Sequence, residues 1–288
     1  MESYRLAVGL SYTLPSLTLL AVHFWILFVL LRDKNLRNLQ CYRIIAQIQI
    51  MTCFYLPTYA LSGATVAFKS ALLGSTTFMA IFSGAAYYGF NGLDLALALN
   101  RAKVIFGLRY SVRIDMAVQL FAWLRFAANI VVHLAKQRYI DFNEDFFTLV
   151  TRQQTRFFVY FSIAQAVIYF LNCILTFVLY LAICLHLLIK KKGLNSVKMP
   201  VREKPILLQA ILRFCSDFPI GVLVFTWGML IPVATSRSTR IMLVQMADAA
   251  NVLCLGALPP LFYVVFNRTM RAAIFNKLES TPVVELPR

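Results

Sequence analysis

Carboxylates are scarce in this chain. Only 12 Asp and Glu stand against 28 Lys and Arg in 288 residues, and charges of both signs make up 14%. A soluble domain carries about 25% charged and about 45–50% apolar residues. Here 60% are hydrophobic. A core of this size cannot bury that excess, so a water-soluble globule is excluded and lipid becomes the solvent. Catalytic patterns are missing as well. There is no H-E-x-x-H, no G-x-S-x-G and no P-loop, so an enzyme is not expected and no cofactor is implied. The outer connections lack cysteine. Cys41, Cys53, Cys173, Cys184, Cys215 and Cys254 all fall in or beside apolar runs, which predicts packing roles and no extracellular disulfide. The first apolar run is too long for a signal peptide, whose h-region has about 7–15 residues, and no A-x-A site follows it. Met1 to Arg5 leaves no room for a folded domain ahead of it. No internal repeat is visible, which counts against a transporter built from inverted halves.

What is present is a series of long apolar runs. A bilayer core needs about 20 mostly apolar residues as helix. Seven runs qualify: 7–31, 43–66, 75–100, 116–135, 158–189, 206–233 and 241–266. The formal net charge of +16 would suit nucleic acid, but its placement argues for topology instead. With the N-terminus outside, 18 Lys and Arg fall on the inner side and 8 on the outer side. That bias predicts an outside N-terminus and a cytoplasmic C-terminus at the plasma membrane, with membrane lipid and not nucleic acid as the partner. Outer loop two, 136–157, mixes charges with aromatics and suits a cap over a pocket. Inner loop three, "KKKGLNSVKMPVREKP", reads as mobile. Residues 267–278, "NRTMRAAIFNKL", place Met270, Ile274, Phe275 and Leu278 at helical spacing, which predicts a short amphipathic helix on the inner leaflet. Asn267-Arg268-Thr269 fits a glycosylation sequon but falls on the cytoplasmic side.

Ionisable side chains inside spans cost about 2.5–3.5 kcal/mol at a helix centre and face the bundle interior. The candidates are Asp94, Arg125, Arg213, Asp217 and Asp248. Each also fits a purely structural contact. Arg213 and Asp217 are spaced to pair within one helix. Arg125, Asn129 and His133 form a polar stripe that must face protein. Gln47 and Gln49 lie near the inner end of span two, in reach of span three. Toward the outer halves, Tyr87, Tyr88 and Asn91 of span three join Gln165 and Tyr169 of span five. Trp227 of span six and Gln245, Asp248 and Asn251 of span seven lie at similar depth. Aromatics with a few polar groups suit a small-molecule site, though aromatics near an interface also serve as anchors. Tyr87, Asn91, Gln165, Tyr169, Trp227 and Asp248 are the expected ligand-binding set. Their apolar surroundings favour small, partly lipophilic or uncharged ligands. At the inner end, Asp94 precedes Arg101 by seven residues, about 10.5 Å along a helix, so the two share a face without touching.

The stretches "CYRIIAQIQIMTCFYLP" opening span two, "LALNRAKVIFGLRY" leaving span three and "LPPLFYVVFNRTMR" closing span seven resemble those of G-protein-coupled receptors. More narrowly, the chain resembles a nematode serpentine chemoreceptor of class T or gamma-like type. The resemblance implies an all-α membrane protein. It would be a seven-transmembrane helix bundle with a short C-terminal amphipathic helix, a single receptor domain over 1–288. It implies a chemosensory receptor that binds a small molecule in an outer cavity and activates a heterotrimeric G protein. Asn100, Arg101, Pro260 and Tyr263 occupy the coupling and activation positions. The rhodopsin-like acid–arginine–tyrosine end of span three reads Asn100, Arg101, Ala102 here. The span-seven motif keeps Pro260 and Tyr263 but loses its asparagine. The cysteine pair that ties span three to outer loop two is absent. Span seven has no lysine, so a retinal Schiff base is impossible. Pro219, Gly221 and Pro232 in span six and Pro259-Pro260 in span seven are the expected bends. The alternative is a transporter or ion channel that uses the intramembrane charges.

Overall fold

The computed structural model describes residues 2–68, 73–135, 138–143, 148–153, 155–193, 218–219, 222 and 237–275. The chain runs α1 (Glu2–Arg32), α2 (Lys34–Asn38), α3 (Gln40–Phe68), α4 (Leu73–Phe106) and α5 (Val112–Leu134). A hairpin follows, β1 (Arg138–Asn143) and β2 (Thr148–Gln153), and then α6 (Arg156–Gly193). The seventh span is α7 (Arg237–Asn251), a π turn (Val252–Ala257) and α8 (Leu258–Phe266), with α9 (Arg268–Ile274) after it. Most of span six lies outside the described residues, and with it Trp227, Arg213, Asp217, Gly221 and Pro232. The antiparallel hairpin pairs Arg138 with Gln153 and Asn143 with Thr148 and adds a small β element to the helical framework in outer loop two.

Length and apolarity let five described segments cross a membrane: Arg5–Arg32, Gln40–Phe68, Val112–Leu134, Arg156–His186 and Gln245–Val265. α4 has 34 residues but is more polar, because it carries Asn91, Asp94 and Asn100. It can carry them because it is central. α3, α5 and α6 all pack against it, and most of its residues from Ala80 to Ala102 are buried. α1 is the opposite case. Phe24, Trp25, Phe28 and Leu31 point outward, while His23, Ile26 and Leu30 point in. Lipid is as apolar as a protein core, so the outward face needs no polar residues. α1 meets α3 very closely at Gly9 and Gly63. A Cβ built on Gly63 would lie 2.5 Å from the Gly9 carbonyl oxygen. Only hydrogen side chains allow that approach.

The π turn has a local cause. Pro259 and Pro260 have no N–H and clash with the carbonyls four residues back. The helix widens instead, and the Leu258 N–H bonds the Leu253 carbonyl, five residues away. α9 then turns off span seven. The Asn267 side chain caps it by accepting from the Met270 N–H at 3.0 Å. Met270 is fully buried and Ile274 packs on the core, whereas Phe275 stays exposed. Part of the face expected on the leaflet is therefore docked on protein. Leu278 lies outside the described residues.

Candidate functional site

Three polar stripes converge between α4, α5 and α6. On α4, Tyr87, Asn91 and Asp94 recur at helical spacing. On α5, Arg125, Asn129 and His133 do so, and on α6 Gln165, Tyr169, Asn172 and Cys173. Arg125, Asn129, His133, Asn91, Gln165 and Asn172 are all buried. The Arg125 Nε donates to Gln165 Oε1 at 3.0 Å, and its Nη1 donates to Asn91 Oδ1 at 3.4 Å. The Asn172 amide donates to the same Asn91 oxygen at 2.9 Å, and the Asn91 amide donates to Cys173 Sγ at 3.4 Å. The Arg125 guanidinium lies 5.6 Å from the Tyr88 ring centre, within cation–π range. Tyr87 and Tyr169 stack with centroids 5.0 Å apart and planes 9° from parallel. Arg125 is about 20 Å along α5 from Val112, which places the charge deep in the bundle.

Four of the six expected ligand residues therefore meet: Tyr87, Asn91, Gln165 and Tyr169. Asp248 lies elsewhere, beside span two, where its charge acts on Tyr55 and Tyr59. Trp227 is outside the described residues. A small apolar hollow bridges the two sides. Met51, Thr52, Tyr55, Ala86, Tyr87, Phe90 and Leu255 line it. Its empty volume is about 210 Å³, with room for about one water at most. Asn172 and Cys173 were missed in the sequence because they sit in an otherwise apolar run. The signal available was their spacing from Gln165 and Tyr169.

A second buried network joins α1, α3 and the π turn. His23 Nε2 donates to the Gly256 carbonyl at 2.7 Å, and His23 Nδ1 contacts the Gln49 amide. Pro260 lies four residues after Gly256 and cannot serve that carbonyl, so the imidazole does. The Nδ1 side of the ring faces the Gln49 side-chain oxygen, so the histidine bridges α1 to α3 and to the π turn. Gln49 thus reaches α1 rather than span three. Gln47 instead accepts from Trp123 Nε1 at 2.8 Å and donates to Gln119 at 2.8 Å, both on α5. Positions two apart on a helix point to nearly opposite sides, so the pair serves two different neighbours. His23 was also missed. A lone imidazole in "AVHFWIL" was the available clue.

The helix ends around Arg101 are tied by short contacts. Asn100, Pro260 and Tyr263 are buried and Arg101 is half-buried. Arg101 acts electrostatically on Tyr42, whose hydroxyl donates to Asn267 at 3.2 Å. In inner loop two, Lys103 pairs with Asp115 at 2.9 Å. The Tyr110 hydroxyl donates to Asp115 at 2.9 Å, and Lys103 lies over the Tyr110 ring. Burial, then that hydrogen bond and the Asp115 charge, hold the Tyr110 hydroxyl well above the usual phenol range. Gly107, with φ of 64°, makes the preceding turn. Cys41, Cys53, Cys173, Cys184 and Cys254 are free thiols.

Neither a family model nor a curated protein matches the sequence. Among solved structures, the chain is similar to squid rhodopsin, with a TM-score of 0.72 and 12% identity over 96% of this chain and 85% of that one. At that identity the likeness concerns the fold. The apolar helices, the central polar α4 and this likeness together make the chain a multi-pass membrane protein with the seven-transmembrane helix bundle seen in rhodopsin.

Proposed function

We propose that residues 1–288 form one chemosensory G-protein-coupled receptor domain of the nematode serpentine type, in the plasma membrane with its N-terminus outside. The observation that carries this reading is the buried polar and aromatic cluster between α4, α5 and α6 inside a rhodopsin-like bundle. The excess of basic residues on one flank supports the orientation. A small molecule binds among Tyr87, Asn91, Gln165 and Tyr169. It favours one of two packings only through its differential affinity for them. Spans six and seven shift, and an inner cleft beside Asn100, Arg101, Pro260 and Tyr263 opens to a heterotrimeric G protein. Span seven lacks lysine, so a retinal Schiff base cannot form there, which counts against an opsin.

The test is a ligand screen on cells that express the chain with a promiscuous G protein, followed by nucleotide exchange on purified components. Exchange that depends on an added small molecule is expected. Arg101→Ala is expected to lower it about tenfold, the scale of one charge-assisted hydrogen bond, without changing surface expression. Ligand-gated flux in liposomes without any G protein would overturn the reading in favour of a transporter or channel. An antibody against a C-terminal tag that stains intact cells would overturn the orientation.

A further inference from the structure

Arg125 is a full positive charge held by neutral groups. Gln165 and Asn91 accept from it, Tyr88 offers a ring face, and Nη2 is buried with no acceptor. The residue is 3% exposed. Among the described residues, the ion pair within 4 Å is Lys103–Asp115, far down the inner end, and no carboxylate reaches Arg125. A guanidinium does not lose its proton to escape burial. A buried cation without a counter-ion is costly, and an uncharged ligand would leave it so.

We infer that the outer site takes an anionic ligand: a carboxylate or similar oxyanion joined to an apolar body. This rests on reading the α4–α5–α6 cluster as the ligand site and changes the expected chemistry from uncharged to acidic. The oxyanion accepts from Nη2 and shares Nη1, the forked geometry that suits arginine. Asn91 and Gln165 hold the fork in place. The stacked rings of Tyr87 and Tyr169 receive the apolar body, and Tyr87 opens onto the hollow lined by Met51, Tyr55 and Phe90. The carboxylate thus sets recognition, and the apolar body adds affinity through burial.

The full chain in phosphatidylcholine nanodiscs, which contain no anionic lipid, provides the test. The probes are decanoic acid and decyl sulfate, against 1-decanol and methyl decanoate. Thermal midpoint and tryptophan fluorescence are read. The two acids are expected to raise the midpoint and saturate, and the neutral pair to do neither. Arg125→Gln is expected to weaken acid binding about tenfold or more, the worth of a charge-assisted pair. Gln165→Glu places a carboxylate against Arg125. It is expected to raise the ligand-free midpoint and abolish the acid response, which a purely structural arginine would not produce. An Arg125-dependent rise on doping the discs with phosphatidylglycerol, without added acid, would keep the anion chemistry but assign it to a lipid headgroup. Equal response to acid and ester, an unchanged response in Arg125→Gln, or no response to any probe would overturn the inference. Acid binding without nucleotide exchange would leave the anion site standing and remove the receptor reading. Exchange driven by neutral compounds alone would do the reverse.

Discussion

His23 and Arg125 are both nearly sealed from solvent, at 0% and 3% exposure, yet their surroundings are opposite. His23 faces the Gln49 amide and a carbonyl that Pro260 leaves without its helical donor. The ring closes a gap made by the chain itself. Arg125 brings a unit charge to partners that carry none. The first network ties spans one, two and seven together. The second has an excess of donors and a charge to spare. Buried polar groups of similar depth thus meet different partners, a backbone carbonyl and one amide side chain at His23, and two amide side chains and a ring face at Arg125. The first joins three spans, and the second is where we propose that a ligand binds.

The seam beside His23 should be the most sensitive place. Gly63→Leu drives a side chain into the Gly9 backbone 2.5 Å away. It is expected to cost about 3 kcal/mol or more and to deplete the folded protein in the membrane fraction, measured by detergent-extracted yield. His23→Leu leaves the Gly256 carbonyl and the Gln49 amide buried without the imidazole. A loss of about 2–3 kcal/mol is expected, read as a lower thermal midpoint in nanodiscs. A midpoint equal to wild type would mean that the α1–α3–π-turn joint does not hold the bundle. Tyr110→Phe removes one hydrogen bond to Asp115 at the inner end, and about 1 kcal/mol should go with it. Ligand-free Arg125→Gln should have the smallest effect, within about 1 kcal/mol of wild type and of either sign, because it removes a costly charge along with its contacts. If Arg125→Gln proved more damaging than His23→Leu, the contrast between the two networks would fail.

Much of the bundle was legible in the sequence. Spans one, two and seven stand out as apolar runs because lipid demands about 20 such residues in a row, while spans four and five are less sharp, the one interrupted by Arg125 and the other overlong. α4 was legible by length in spite of Asn91, Asp94 and Asn100. The site was legible in part. Tyr87 and Asn91 share a stripe, and Gln165 and Tyr169 share another, by spacing alone. That these stripes meet each other and Arg125, while Asp248 faces Tyr55 and Tyr59, was not. Gln49 shows why. Its polarity says that it must find a partner inside the bundle, but not that the partner is His23 on α1. Likewise, Pro259-Pro260 marks a bend, whereas the capture of the π turn by His23 depends on a helix far away in sequence.

The sequence by itself determined the medium. A chain with 60% hydrophobic and 14% charged residues has lipid as its solvent, and its basic residues crowd one flank of the spans. The tertiary structure alone decided how each helix is turned about its axis. In water the apolar face of a helix points inward and can be read from the pattern. In a bilayer both faces are apolar, so rotation is set by close packing at residues such as Gly9 and Gly63 and by where a few polar side chains find one another.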